Sequence, residues 1–274
     1  MKRVWIALAG LLAFGAAAMS LLGDDTRGAL GDQRCRPCRL DQTFASGETL
    51  DYSLSWLKIP GGAARMTIGP HQPGELRLTS IGKSSASFGH IFKVHDEFVS
   101  VVDAGDFSTH RFEKHLEERG RVKDETTIVS EPMGIAVRRR AGKNPQAVHV
   151  TPPVLDPLSL VYRLRTLNLT PGAVHHLPML ADGKLFAVEA TVVGRETIET
   201  PAGRFACVIV EPKMTTSGLF HNDATARLRI WYSEDERRLP VRIRSDVKFG
   251  AITANLQAVY AGAGTPEPPA AARN

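Results

Sequence analysis

The sequence lacks the short motifs that mark the commonest hydrolase and nucleotide-binding sites. It contains no G-x-S-x-G nucleophile motif, no HExxH zinc motif and no glycine-rich phosphate-binding loop. Its densest group of carboxylates, Glu234 to Glu236, is followed directly by two arginines and lies between two predicted strands, which is typical of a charged turn. We therefore expect a protein without catalytic residues and without a cofactor, and an enzyme of unrecognised class is the remaining alternative.

Cysteine is scarce, with three residues in the whole chain. Cys35 and Cys38 form a CxxC motif, but it lies in an arginine-rich segment and not at the start of a helix, as a thioredoxin-like site requires. Haem attachment would need histidine where Arg39 stands, and zinc would need two further ligands. A local disulfide or free thiols remain open, with redox reactivity possible beside the arginines. Cys207 lies in the alternating run FACVIV and is expected to be an ordinary buried thiol.

The histidines are poorly spaced for metal binding. His90 and His95 are five residues apart and share a face of neither a helix nor a strand, and the adjacent His175 and His176 point to opposite sides of an extended chain. His221 is followed by Asn222 and Asp223 without a second histidine nearby. We expect no metal site.

The excess of positive charge is small. The formal net charge is +5, and it falls to +3 if Lys2 and Arg3 are removed with an N-terminal segment. That is too little to predict nucleic-acid binding. Arginines are nevertheless clustered at Arg34, Arg36 and Arg39 and again from Arg138 to Arg140. Solvated surface and contact with anionic lipid head groups are the two interpretations of these clusters.

The first 22 residues indicate export. Lys2 and Arg3 precede nineteen uncharged, mostly apolar residues, from Val4 to Leu22. Alanines from Ala16 to Ala18 fit a signal-peptidase site, so residues 1–22 are interpreted as a signal peptide, or alternatively as an uncleaved anchor. The predicted location is the periplasm, with anchoring in the inner membrane, facing the periplasm, as the alternative. Membrane contact is then expected through the N-terminus.

Composition divides the rest of the chain into three parts. Residues 23–43 are polar and aperiodic and are predicted to be a linker. Residues 44–260 are predicted to form a single β-rich domain. Residues 261–274 are rich in proline, alanine and glycine and are predicted to be a disordered tail.

The central part has a period of two, which is typical of strands. In residues 50–56, apolar side chains alternate with polar ones. The apolar positions are Leu50, Tyr52, Leu54 and Trp56. Pro60 to Gly62 are predicted to form the turn that follows. Similar segments recur, about eight before residue 156 and five after residue 166. The fold is therefore predicted to be mainly β, a curved antiparallel sheet arranged as a half-barrel or β-roll.

One segment breaks this period and predicts a short helix. Asp156 is placed as its N-cap and Pro157 as its first residue. Large side chains follow at helical spacing, at Leu158, Val161, Tyr162 and Arg165. Because the opposite face carries Arg163, we expect this helix to lie across the open side of the sheet.

Four stretches together resemble a family of exported bacterial proteins known as domain of unknown function 3108. They are GETLDYSLSW with the following IPGGAA, DPLSLVYRLR, GRETIETPAGRFACVIVEP and IWYSEDERRLPVRIRSDVKFGAITANL. The last stretch is also similar, more weakly, to the periplasmic lipoprotein carriers, whose curved half-barrel is lined with apolar residues. The resemblance implies a location and a fold but no established chemistry.

These observations lead to a non-catalytic envelope protein, for which two functions are considered. In the first, the protein binds an apolar or lipid-like ligand on the concave face of the sheet, and the residues expected to line that site are Leu50, Tyr52, Leu54, Trp56, Leu158, Val161 and Tyr162. In the second, the same side chains fill a core and the protein is a structural or protein-interaction module that binds another envelope protein.

Overall fold

The fold is taken from a computed structural model, which describes residues 44, 46–85, 93–118, 120–215, 227–247, 250–261 and 265–266. The predicted export segment, the linker, the CxxC motif, the first arginine cluster, His90 and His221 lie outside the described residues. Most of the predicted tail does too, although its Thr265 and Pro266 pair with Tyr260 and Ala261.

The described chain contains fifteen strands and a helix. The strands are β1 (Glu48–Trp56), β2 (Ile59–Pro70), β3 (Glu75–Ser84), β4 (Val94–Asp103), β5 (Thr109–Glu118), β6 (Arg121–Ser130), β7 (Ile135–Arg140), β8 (Gln146–His149), β9 (Val174–Ala181), β10 (Lys184–Thr200), β11 (Gly203–Thr215), β12 (Arg227–Ser233), β13 (Pro240–Val247), β14 (Gly250–Ala261) and β15 (Thr265–Pro266). The helix, α1, spans Pro157–Arg165.

All these strands belong to one antiparallel sheet. Their order is β8-β7-β6-β5-β4-β3-β2-β1-β14-β13-β12-β11-β10-β9, and β15 adds to the end of β14. Because β1 pairs with β14, the first and last long strands meet in the middle of the sheet. The two outermost strands, β8 and β9, do not pair with each other, so the sheet is not closed into a barrel. The predicted fold class is confirmed.

The sheet curves around α1. This helix contacts β3 and β4 near the middle of the strand order and also β9 at one edge. The residues just before α1 continue the wrapping, since the backbone N–H of Leu155 donates to Pro178 on β9 and the carbonyl of Val154 accepts from Thr109 on β5. The short segment 154–155 therefore links two strands that the sheet itself keeps apart, and it covers the open edge of β9.

The core lies between the concave face of the sheet and α1. Alternate residues of β1 point inward, where Leu50, Tyr52 and Leu54 are buried. Most of the inward side chains form one contiguous apolar cluster with α1. A smaller cluster lies beneath β6 to β8, around Val129 and Ala136.

Two sequence predictions need correction. The eight strands before α1 are present, but seven follow it where five were predicted, because β9 and the two-residue β15 were not recognised. In β9, Pro178 and the adjacent His175 and His176 hide the alternation of apolar and polar residues that predicts a strand.

The turn predicted at Pro60 to Gly62 was also wrong. Leu57 and Lys58 form the turn between β1 and β2, with positive φ of 50° and 68°, whereas Pro60 and Gly62 lie within β2. Gly62 serves a different purpose, since a Cβ there would lie 2.2 Å from the carbonyl oxygen of Lys83 on β3. Glycine at this position permits the close approach of two strands.

Candidate functional site

The structure places four of the seven residues predicted to line a ligand site along β1 and the other three in α1. Six of them belong to the main core, with exposed fractions of at most 3%: Leu50, Tyr52, Leu54, Leu158, Val161 and Tyr162. Trp56 differs, because it is only half-buried and packs against the edge of this core. The sequence pattern thus brought together side chains that do share one region, and their role as ligand contacts stays a prediction.

Two buried tyrosines form hydrogen bonds in this region. The hydroxyl of Tyr52 on β1 donates to the carbonyl of Pro240 on β13, 2.8 Å away, and the hydroxyl of Tyr232 on β12 donates to the carbonyl of Val161 in α1, 2.9 Å away. Burial raises the pKa of Tyr52 and the pKa of Tyr232, so both hydroxyls stay protonated donors at neutral pH. Tyr162 lies edge-on to Phe44, which in turn lies edge-on to Phe107.

The N-terminus of α1 is fixed by a buried carboxylate. Asp156 is 1% exposed, and its side chain accepts hydrogen bonds from the backbone N–H groups of Leu158 and Ser159, as the sequence predicts for an N-cap. The same carboxylate also accepts from the hydroxyls of Ser100 on β4 and Thr109 on β5. Burial raises the pKa of Asp156, although the four hydrogen bonds oppose that rise. This cap therefore also ties the helix to two strands.

The C-terminus of α1 is fixed by a buried ion pair that the sequence did not reveal. Arg165 is fully buried and makes two hydrogen bonds, of 2.6 and 2.9 Å, to the carboxylate of Glu48 at the start of β1. Its guanidinium also lies 4.9 Å from the ring centre of Phe44. Burial alone lowers the pKa of Arg165, but the charge and hydrogen bonds of Glu48 raise it above its ordinary value, so the guanidinium of Arg165 stays charged.

The turn between β12 and β13 completes this second attachment. Arg238 donates to the carbonyl of Arg165, the last residue of α1, and to that of Leu167 just beyond the helix, and these carbonyls have no helical partner. The charged turn predicted around Glu234 to Glu236 is present, and its neighbour Arg238 caps the helix.

A third polar cluster lies where the β9–β10 turn meets β5 and β7. Asp182 in that turn is 2.5 Å from the ammonium of Lys114 and 3.1 Å from the guanidinium of Arg138, and Arg138 also contacts Glu125 at 2.5 Å. Arg138, predicted as solvated surface or a lipid contact, is thus used internally, while Arg139 and Arg140 are exposed. Each carboxylate here already faces a cation, which favours a structural role.

The remaining candidates do not converge. Cys207 is buried, as predicted, and burial raises its pKa to about 12, so a reactive thiolate is disfavoured. His175 is buried against the carbonyl of Asn168 while His176 is exposed, which confirms their opposite orientation. Among the described residues, no three histidine, cysteine or acidic side chains are arranged to hold a metal ion. Within the same part of the chain, no helix has both the length and the apolar character needed to cross a membrane.

Sequence reasoning missed Glu48 and Arg238 altogether and recognised Arg165 only by its spacing. An arginine at an apolar position of a helix could have indicated a buried partner. The identity of that partner, 117 positions away along the chain, could not be inferred from spacing.

A solved structure shares this kind of fold. A β-barrel-like protein of domain of unknown function DUF1849 from Brucella abortus has a TM-score of 0.54 and 7% sequence identity, and the match covers 80% of this chain and 99% of that one. A protein of Bacteroides fragilis, described as exported, has a TM-score of 0.32 and 10% sequence identity, and the match covers 78% of this chain and 95% of that one. A protein of Parabacteroides distasonis, described as a lipoprotein, has a TM-score of 0.32 and 12% sequence identity, and the match covers 80% of this chain and 98% of that one.

No match was found among curated proteins. The family described as "Protein of unknown function (DUF3108)" matches residues 51–257, which is most of the chain and includes residues 51–56 of β1, all of α1 and both attachments of the helix except Glu48. The chain therefore belongs to the DUF3108 family.

Proposed function

We propose that this chain is an exported, non-catalytic binding module of the cell envelope that acts through its outer surface. The observation that carries the proposal is the filling of the concave face. Six of the seven side chains that a ligand would have to touch are at most 3% exposed and already pack against one another and their neighbours.

The attachments of α1 support this interpretation. A ligand could enter beneath the helix only if the helix moved. Such a movement would separate Asp156 from Ser100 and Thr109, and Arg165 from Glu48. Each of these separations would leave buried polar or charged groups without partners, at a cost of about 1–5 kcal/mol per group. The helix is therefore better suited to closing the interior than to opening it.

The absence of catalysis is likewise a proposal with physical support. The thiol of Cys207 is buried and its pKa is raised, which disfavours a reactive thiolate. The buried carboxylate of Asp156 serves as the helix cap, and the acidic groups at the β9–β10 turn are paired with cations. Export is supported by Lys2 and Arg3 ahead of the uncharged segment from Val4 to Leu22.

A second candidate, binding of an apolar ligand, is favoured by one specific place. Gly82 on β3 pairs with Ala64 and Asp96, both buried on the concave side, and a Cβ added at Gly82 would meet nothing within 4 Å. Half-buried Trp56 lies at the same end of the sheet. A shallow site at this end would hold a ligand without moving α1.

Mass spectrometry of organic extracts distinguishes the two functions. The full chain is purified from its native envelope, and the extract is compared with that of the Gly82→Leu variant, whose side chain would occupy the open space. The proposal predicts no apolar compound in stoichiometric amount in either extract. A compound recovered at one per chain from the parent and lost from the variant would establish the ligand carrier instead.

A further inference from the structure

The tip of the first hairpin exposes apolar side chains to solvent. We call residues 56–59, Trp56 to Ile59, the β1–β2 tip. Leu57 and Ile59 are 52% and 53% exposed, and Lys58 between them is exposed as well. Trp56, at the base, is half-buried against the core. The tip thus presents two aliphatic side chains, a cation and an indole within four residues.

The backbone of this tip is unusual for its sequence. Two-residue hairpin turns with positive φ at both central positions favour Asn-Gly, because other residues are strained there. Here Leu57 and Lys58 occupy those positions, with φ of 50° and 68°. Leu57 also lies on the backbone of the neighbouring hairpin, since a Cβ at Gly250 would come within 2.3 Å of its methyl carbon. Residues with strained backbone cluster at functional sites such as ligand clamps and switch regions, so this turn is a candidate contact site.

Exposed cations lie at the same end of the sheet as the tip. Lys83 on β3 and Lys93 just before β4 are exposed there, and the β5–β6 hairpin farther along the sheet adds Arg121 and Lys123. Three acidic groups at this end have partners, since Glu117 lies near Lys93, Asp124 near His115, and Asp246 near Arg229 and Arg244.

We propose that the β1–β2 tip docks the exported chain onto an anionic phospholipid bilayer. Leu57 and Ile59 enter the boundary between head groups and acyl chains, Trp56 lies at head-group level, and Lys58 and Lys83 approach the phosphates. Charge complementarity selects this partner over a second copy of the chain, whose equivalent end carries the same positive charge. The inference deepens the proposed surface-acting function and rests on it.

Quenching of tryptophan fluorescence by brominated lipids tests this docking directly. The chain contains three tryptophans, and Trp5 lies in the N-terminal apolar segment, so the full chain is used with Trp5→Phe. Two tryptophans then remain, Trp56 and Trp231. A second variant that also carries Trp56→Phe reports the emission of Trp231 alone, and the difference between the two variants gives the emission of Trp56. In vesicles of brominated phosphatidylcholine containing phosphatidylglycerol, the emission of Trp56 should be quenched. In brominated phosphatidylcholine alone, the quenching should be much weaker.

Matched variants identify the side chains responsible. The variant with Leu57→Ser and Ile59→Ser loses both apolar side chains. We expect it to need at least about tenfold more lipid for half-maximal quenching. Met133→Ser, which changes a 70% exposed side chain at the opposite end of the sheet, should leave it unchanged. Leu57→Asn with Lys58→Gly keeps the hairpin with a favourable turn, so its loss of quenching cannot be attributed to unfolding.

The opposite results are equally defined. The docking proposal would be overturned if the emission of Trp56 were not quenched on anionic vesicles, which is also the result expected if the tip binds a protein. Equal quenching in the Leu57→Ser, Ile59→Ser chain and its parent would overturn it as well. Such a result leaves the filled interior intact, whereas an extracted stoichiometric ligand would refute the proposed function without changing the quenching.

Discussion

At the scale of single residues, polar groups inside the apolar core decide where α1 lies. Apolar packing is not directional, so it brings a helix onto a sheet without fixing its position along the strands. Hydrogen bonds and ion pairs have defined geometry, and here Asp156 and Arg165 form them at the two ends of the helix. The helix is thereby held at both ends against strands that are distant in sequence.

Removing one partner of the buried ion pair should be strongly destabilising. Glu48→Gln leaves the guanidinium of Arg165 buried without a counter-charge, and we expect it to lower the free energy of unfolding by about 3–5 kcal/mol. The control is the exposed ion pair between Asp51, which lies on β1 like Glu48, and Arg65 on β2. Asp51→Asn should lower the free energy of unfolding by less than about 1 kcal/mol. Urea denaturation measures both, and equal costs for the two variants would refute the special role of Arg165.

The buried cap predicts a pH dependence of known sign. Because the folded-state pKa of Asp156 is raised above its ordinary value of 3.8, its contribution to stability is fully present below that value and is lost as pH rises through the folded-state pKa. Asp156→Asn keeps a capping oxygen but does not titrate. The unfolding free energy of the parent should therefore fall relative to that of the variant as pH rises from about 3 to 7. A difference that is constant, or that changes in the opposite direction, would contradict this.

At the scale of elements, regular patterns were predictable and close approaches were not. Alternation predicts β1 because its Leu50, Tyr52 and Leu54 face a core, and capping chemistry predicts α1 from Asp156 and Pro157. The turn after β1 was misplaced because glycine serves two purposes, and Gly62 accommodates a neighbouring strand where a turn was expected. Local sequence does not distinguish these purposes, since the neighbour that requires the glycine is 21 positions away.

Two glycines of the β2–β3 pair should respond in opposite ways to alanine. Gly62→Ala forces a methyl group against the backbone of Lys83 and Ser84, and we expect it to lower stability by about 1–3 kcal/mol. Gly82→Ala meets no atom within 4 Å and should leave stability unchanged or raise it by up to about 1 kcal/mol. Thermal and urea denaturation compare the pair, and a similar loss in both would show that strand propensity outweighs the close approach.

At the scale of the whole molecule, one continuous sheet achieves its curvature without closing. The order of the strands brings β1 to the centre, and α1 and the segment before it link the middle of the sheet to its β9 edge. Composition and alternation could predict a curved sheet with a helix across it. They could not predict whether the concave face is open or filled, because that depends on how closely Leu158, Val161 and Tyr162 approach the strands.

The effect of Leu158→Ala, measured together with binding of an apolar fluorescent probe, tests the filled interior most directly. Leu158 is fully buried in the first turn of α1 and belongs to the main core. For a filled core, truncation should lower the free energy of unfolding by about 2–5 kcal/mol, and the parent should not bind the probe saturably. A loss below about 1 kcal/mol, with one probe bound per parent chain and released by the substitution, would contradict a filled interior and establish a ligand cavity beneath α1.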